Sequence, residues 1–97
     1  MTATPEQLKK LAEYMGYKVK THHWWPEFVF DGEWMRFDPL QNPAQDAEIE
    51  IKFCMDTKCE RGKWKAITWN FPNAVTGEGE SPKEARLNCA IAYVEEL

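Results

Sequence analysis

The sequence predicts an α+β fold, a helix–sheet–helix sandwich of three helices and about four mainly antiparallel strands in the order α-β-β-β-α-β-α. Three observations carry this expectation. Thr4-Pro5-Glu6-Gln7, Asn42-Pro43-Ala44-Gln45 and Ser81-Pro82-Lys83-Glu84 share one grammar. Between the first two, apolar spacing changes from helical to alternating. Within that alternating stretch Asp31-Gly32 is a hairpin turn signal.

Each tetrapeptide starts a helix. The first residue's side-chain oxygen accepts from a free backbone N–H, proline at the first helical position gives up no bond, and Gln or Glu at the third can reach back to the cap. After the first start, Leu8, Leu11, Ala12 and Met15 recur at helical spacing and Gly16 supplies a left-handed stop, so this helix covers about residues 5–15. After the second, Ala44, Ala47, Ile51, Cys54 and Met55 form the expected buried face, with Asp46, Glu48, Glu50 and Lys52 mostly outward. After the third, Ala85, Leu87, Cys89, Ala90, Ile91, Ala92, Tyr93 and Val94 leave only a narrow polar strip around Asn88 and Glu95. This last helix is expected to be the most buried.

Tyr17, Val19 and Thr21 alternate with Lys18 and Lys20, the period of a strand. A two-residue turn at Asp31-Gly32 pairs Phe28 with Met35 and Phe30 with Glu33 on one face, and Val29 with Trp34 and Glu27 with Arg36 on the other. The first face is core. The second needs either a covering helix or a partner. Lys63 to Phe71 reads as a further strand, with Trp64 and Ala66 on one side and Ile67, Trp69 and Phe71 on the other; a central strand covered on both faces is expected.

At 97 residues, 43% apolar and 13% aromatic, the chain is read as one domain, 1–97. A domain of this size buries roughly 60–65% of its unfolded surface. Apolar runs such as Phe28-Val29-Phe30 fall far short of the roughly 18 residues that cross a bilayer, and the N-terminus lacks a basic-then-apolar leader. A cytoplasmic protein with no membrane partner is expected. Cys54, Cys59 and Cys89 are odd in number and suit a reducing compartment. A net charge of −4 argues against nucleic acid as a partner.

The run FDPLQNPAQDAEIE, a strand holding Trp64-Lys65-Ala66, and VTGEGESPKEARLNCAIAYVE resemble the phage ABA-sandwich domain, a family of small proteins of bacteriophages and prophages. The resemblance covers about residues 34–94 and rests on Phe37, Asp38, Pro39, Leu40, Asn42, Ala44, Trp64, Ala66, Gly77, Pro82, Ala85 and Ala90. It implies an ABA sandwich of phage origin, located in an infected or lysogenic bacterial host, and no general activity. Of the motif residues, Asp38, Pro39, Asn42 and Gly77 are read as structural.

Chemistry-bearing candidates mostly reduce to architecture. Asp38 before Pro39 turns the chain through its own side chain. Asp46, Glu48 and Glu50 are read as a solvated helix face that complements the dipole. Cys54 and Cys59 with His22, His23 and Cys89 lack the second close pair that a structural zinc needs, so no metal and no cofactor are expected. Cys54 is taken as buried and Cys59 as lying in a loop. No base is positioned beside a cysteine, Ser81 is a cap, and Gly77-x-Gly79 lacks the third glycine of a dinucleotide fingerprint. No catalytic residue is assigned and no enzyme is expected.

His22-His23-Trp24-Trp25-Pro26 is the sharper feature. Neighbours on a strand alternate faces, so Trp24 and Trp25 are expected on opposite sides, with Pro26 ending regular pairing and one ring exposed. His23, Trp24, Trp25, Trp34 and Arg36 are the candidate interaction residues. The leading expectation is a non-catalytic phage accessory protein that binds and modulates a host protein, one serving antiviral defence among the candidates; a homo-oligomer is a possible form. The alternative is a pocket that binds or sequesters a nucleotide-type ligand, with Trp24, Trp25 or Trp64 stacking and Lys63 or Lys65 meeting phosphate.

Overall fold

The structure, a computed structural model, describes residues 3–22, 25–30, 32–69 and 74–96. Its chain groups into two compact units, Met1–Asp38 and Pro39–Leu97, each described by itself below. The boundary falls inside the Asp38-Pro39 pair. Among the described residues no helix is long and apolar enough to cross a membrane.

In the first unit helix α1 (Pro5–Tyr14) is followed by β1 (Val19–His22), β2 (Trp25–Phe30) and β3 (Glu33–Arg36), an antiparallel sheet of order β1-β2-β3. Thr4 and Gln7 close the capping box on α1, and Gly16 adopts φ +90° just beyond its end. The β2–β3 register follows the expectation pair for pair: Phe28↔Met35, Phe30↔Glu33, Val29↔Trp34 and Glu27↔Arg36. Leu8, Leu11 and Ala12 of α1 are buried with Phe28 and Phe37. Tyr17 stacks on Phe28 with ring centroids 4.4 Å apart, and Phe37 meets Phe28 edge-on at 6.0 Å.

The second unit comprises α2 (Pro43–Phe53), β4 (Met55–Glu60), β5 (Lys63–Thr68), β6 (Val75–Gly79) and α3 (Pro82–Glu95), with an antiparallel sheet of order β4-β5-β6. Asn42 caps α2 by accepting from the N–H groups of Ala44 and Gln45, and Ser81 caps α3 by accepting from that of Glu84. The α+β class and, among the described residues, three helices therefore match expectation. The sheet does not: the described residues contain six strands in two three-stranded sheets, where about four strands in one sandwich were expected. The additional strands are β4 and β6. In β4 only Met55 is buried, so its sequence MDTKCE carries almost no apolar alternation. In β6 two of five residues are glycines, which lower strand propensity but admit α3.

Helix α3 is buried at Ala85, Leu87, Cys89, Ala90, Ile91 and Tyr93, as its composition requires. A Cβ built on Gly77 would lie 2.2 Å from the backbone N of Cys89, so helix and strand touch backbone to backbone. Facing α3, β5 presents the fully buried Ala66 and Thr68. The Thr68 hydroxyl donates to the Phe53 carbonyl.

The phase of α2 departs from expectation. Gln45, Asp46, Ile49 and Phe53 are buried, while Ala44, Ala47 and Cys54 are exposed and Ile51 is 74% exposed. Ile49 and Phe53, one turn apart, outweigh the smaller alanines, and Phe53 meets the Tyr93 ring at 5.2 Å. Asp46 joins them because Arg86 reaches across from α3, with Nε donating to Oδ1 at 2.8 Å and Nη2 to Oδ2 at 2.6 Å. The helix ends at Cys54, which takes a left-handed conformation at φ 50°.

Candidate functional site

Strand alternation sorts the first sheet into two faces. Pro26, Phe28, Met35 and Phe37 share one, and Lys20, Trp25, Glu27, Val29, Trp34 and Arg36 share the other. On the second face Trp34 is 43% exposed and Val29, directly opposite, 39%. Both tryptophans are covered by cations. The Lys20 ammonium sits 4.0 Å from the Trp34 ring centroid and the Arg36 guanidinium 4.0 Å from that of Trp25. Lys20 also lies 3.9 Å from the Glu27 carboxylate. Each cation–π contact is worth about 0.5–1 kcal/mol at an exposed site, enough to bias a rotamer and pre-order the ring.

Trp25 and Pro26 depart from expectation in a connected way. Pairing does not stop at Pro26: it is fully buried in β2, and β1 pairs past it, Thr21↔Pro26 and His22↔Trp25. On the β3 side the Phe37 N–H donates to the Pro26 carbonyl at 2.9 Å. The return bond of that pair cannot form, because proline has no N–H. Trp25 supplies it instead, its indole Nε1 donating to the Phe37 carbonyl at 2.8 Å. Trp25 is thus half-buried and tied to the backbone, and Trp34 is the more available ring. His23 and Trp24 lie outside the described residues, so the expected opposition of Trp24 and Trp25 does too.

In the second unit the β4–β5 turn has positive φ at both Arg61 (53°) and Gly62 (78°), the type I′ pattern of a two-residue hairpin. Beside it Glu60, Arg61, Lys63, Trp64, Lys65 and Glu78 line a shallow concavity of about 400 Å³. Trp64 and Lys63 are thus brought together, although alternation turns Trp64 to the Ala66 side and Lys63 and Lys65 to the opposite one. The expected cover on that opposite face is not what Trp69 shows. It is 62% exposed, and its Nε1 donates to Asp56 Oδ2 at 2.7 Å.

Pro39 is fully buried, Asn42 is a helix cap and Gly77 is the point where α3 meets β6. Asp38 is half-buried. Among the described residues no three His, Cys, Asp or Glu side chains converge to hold a metal ion. Contrary to expectation, Cys54 is exposed and Cys59 belongs to β4; Cys89 is buried, with Sγ donating to the Val75 carbonyl at 3.2 Å. The residues sequence reasoning missed are Lys20 and Glu27 on the first sheet, and Asp46 and Arg86 in the second unit.

Burial pushes the Cys89 thiol up from 9.0 to about 11. A thiol reagent should therefore modify Cys54 and Cys59 rapidly in the folded protein and Cys89 only on unfolding. The raised value also ties stability to alkaline pH. The folded state holds the proton longer, so this contribution is complete below about pH 9 and is lost as pH rises toward 11, roughly 2–3 kcal/mol in all. Urea midpoints of the parent and Cys89→Ala at pH 8 and above 10 check this; an equal alkaline loss in both would remove Cys89 as its source.

No family model matches the chain, and no curated protein matches it significantly. Among solved structures it is similar to a phage protein from Bacillus cereus, crystallised at 2.0 Å resolution, with 18% identity over 98% of this chain and 91% of that one and a TM-score of 0.67. At this identity the likeness is one of fold, an α+β fold shared with a phage protein.

Proposed function

We propose that this chain is a non-catalytic phage or prophage accessory protein of the ABA-sandwich kind, which docks a host protein through the open face of β1–β2–β3 and modulates it. The observation that carries the reading is the juxtaposition of Trp34 and Val29, 43% and 39% exposed and paired across β2–β3. An exposed Trp beside a β-branched neighbour makes an anchor of the kind that dominates protein interfaces. Lys20 and Arg36 cover the faces of the two rings, so a nucleobase would have to displace a cation to stack there. A protein surface with an apolar pocket and an acidic rim would use ring edges and cations together. The partner class this reading names is a host protein, with one serving antiviral defence among the candidates.

Trp34→Ala should leave the circular dichroism spectrum unchanged and weaken partner binding by about thirtyfold or more, the loss of roughly 2 kcal/mol typical of a Trp anchor. The measurement is affinity capture from bacterial lysates under competing salt, with a photo-crosslinker at Val29 to show that the captured protein sits on this face. Undiminished capture by Trp34→Ala, or no specific host protein across several hosts, would count against the reading. Trp25 is unsuitable for this comparison because its indole also completes the sheet.

A further inference from the structure

The β4–β5 hairpin breaks two local rules of sheet stability, and both breaks place positive charge at the same spot. Lys58 and Lys65 stand directly opposite each other on adjacent strands. Like charges so placed repel and weaken a strand pair. Arg61 occupies the first turn position at φ 53°, where Asn, Asp or Gly would be relaxed. Lys58, Arg61, Lys63 and Lys65 thus put four cations within eight residues of a chain whose net charge is −4.

Glu60 faces Lys63 and Glu78 faces Lys65 across the strands. Yet none of the four cations comes within ion-pair distance, 4.0 Å, of a described carboxylate. Departures from local consistency are expected at functional or strained sites. We propose that this hairpin is a phosphate-binding element that takes a short chain of phosphates, such as that of a nucleoside polyphosphate. Arg61, Lys63 and Lys65 contact the phosphates, Lys58 adds to the local field, and the concavity of about 400 Å³ bordered by Trp64 is large enough for a mononucleotide. The site lies in the second unit.

The test is isothermal titration of the intact chain with ATP and, separately, with inorganic tripolyphosphate, at low and high salt. Both are expected to bind, and both to weaken as salt rises. Tighter binding of ATP would show that Trp64 also contacts the base, and equal binding that phosphate alone is read. Lys65→Gln should weaken binding about five- to tenfold, one charge-assisted contact's worth. Arg61→Asn should do the same while raising the melting temperature by about 2–6 °C, because the turn relaxes. Affinity falling as stability rises is the signature of a site, and a purely structural hairpin would not show it. Failure of both ligands to bind, binding indifferent to Lys65→Gln and Arg61→Asn, or a lower melting temperature in Arg61→Asn would overturn the proposal. A short single-stranded oligonucleotide binding the same residues far more tightly than ATP would overturn it in favour of a nucleic-acid strand.

Discussion

Gly77→Ala should destabilise the fold by about 3 kcal/mol or more, an unusually large effect for one added methyl group. The new Cβ would lie 2.2 Å from the N of Cys89, 2.6 Å from its Cα and 2.8 Å from the carbonyl oxygen of Ala85. All three are backbone atoms of α3, so no rotamer change can make room and the helix itself must lift from the sheet. Lifting it would loosen the contacts of Ala85, Cys89 and Ala90, which are fully buried. Gly62→Ala provides the contrast. Its Cβ would meet nothing within 4 Å, but its φ of +78° is unfavourable to any L side chain, so a loss of only about 1–2 kcal/mol is expected there. Urea titration separates the two. A Gly77→Ala variant within about 1 kcal/mol of the parent would mean that α3 does not sit on β6 as described.

The same glycine shows where the sequence was readable and where it was not. Gly77 and Gly79 weaken a strand by composition, and only the later small residues Ala85, Cys89 and Ala90 reveal that a helix needs the space. That information is non-local. By contrast, the β2–β3 register was legible to the residue pair, since Asp31-Gly32 sets the turn length and alternation does the rest. Thr4, Asn42 and Ser81 were legible as caps for the same reason, because capping is decided within one helical turn. Strand β4 is not legible in the sequence because it follows a helix with no glycine between, the left-handed Cys54 making the break, and because five of its six residues are not buried.

The candidate site divides along the same line. That Trp34, Val29 and Arg36 share a face follows from period two, whereas the stacking of Lys20 and Arg36 over the rings depends on rotamers that no spacing encodes. Pro26 looked like the end of pairing because its missing N–H was visible in the sequence and the indole that replaces it was not.

The clearest case of a hidden partner is Asp46, read as a solvated helix residue and found buried against Arg86, 40 positions later in the chain. The pair is bidentate, and the two side chains are only 10% and 13% exposed. Arg86 Nη1 also donates to Thr57 Oγ1 at 3.3 Å and lies 3.4 Å from Glu50 Oε2, so one guanidinium ties α2, α3 and β4 together. The hydrogen bonds that Arg86 donates to Asp46 raise the Arg86 pKa, against an opposing effect of burial, and the guanidinium stays charged across the accessible pH range. Arg86→Met should therefore cost about 2–4 kcal/mol, chiefly because it strands a desolvated carboxylate. Asp46→Leu should cost less, since Glu50 and Thr57 remain for Arg86. The double variant Asp46→Leu/Arg86→Met should recover much of the loss, because no buried charge is left without a partner and the replacements fill similar volume. A double-mutant cycle by urea unfolding measures this directly. Strictly additive losses would mean that the two groups act separately, and that packing at each site, not their charge pairing, holds α2 against α3.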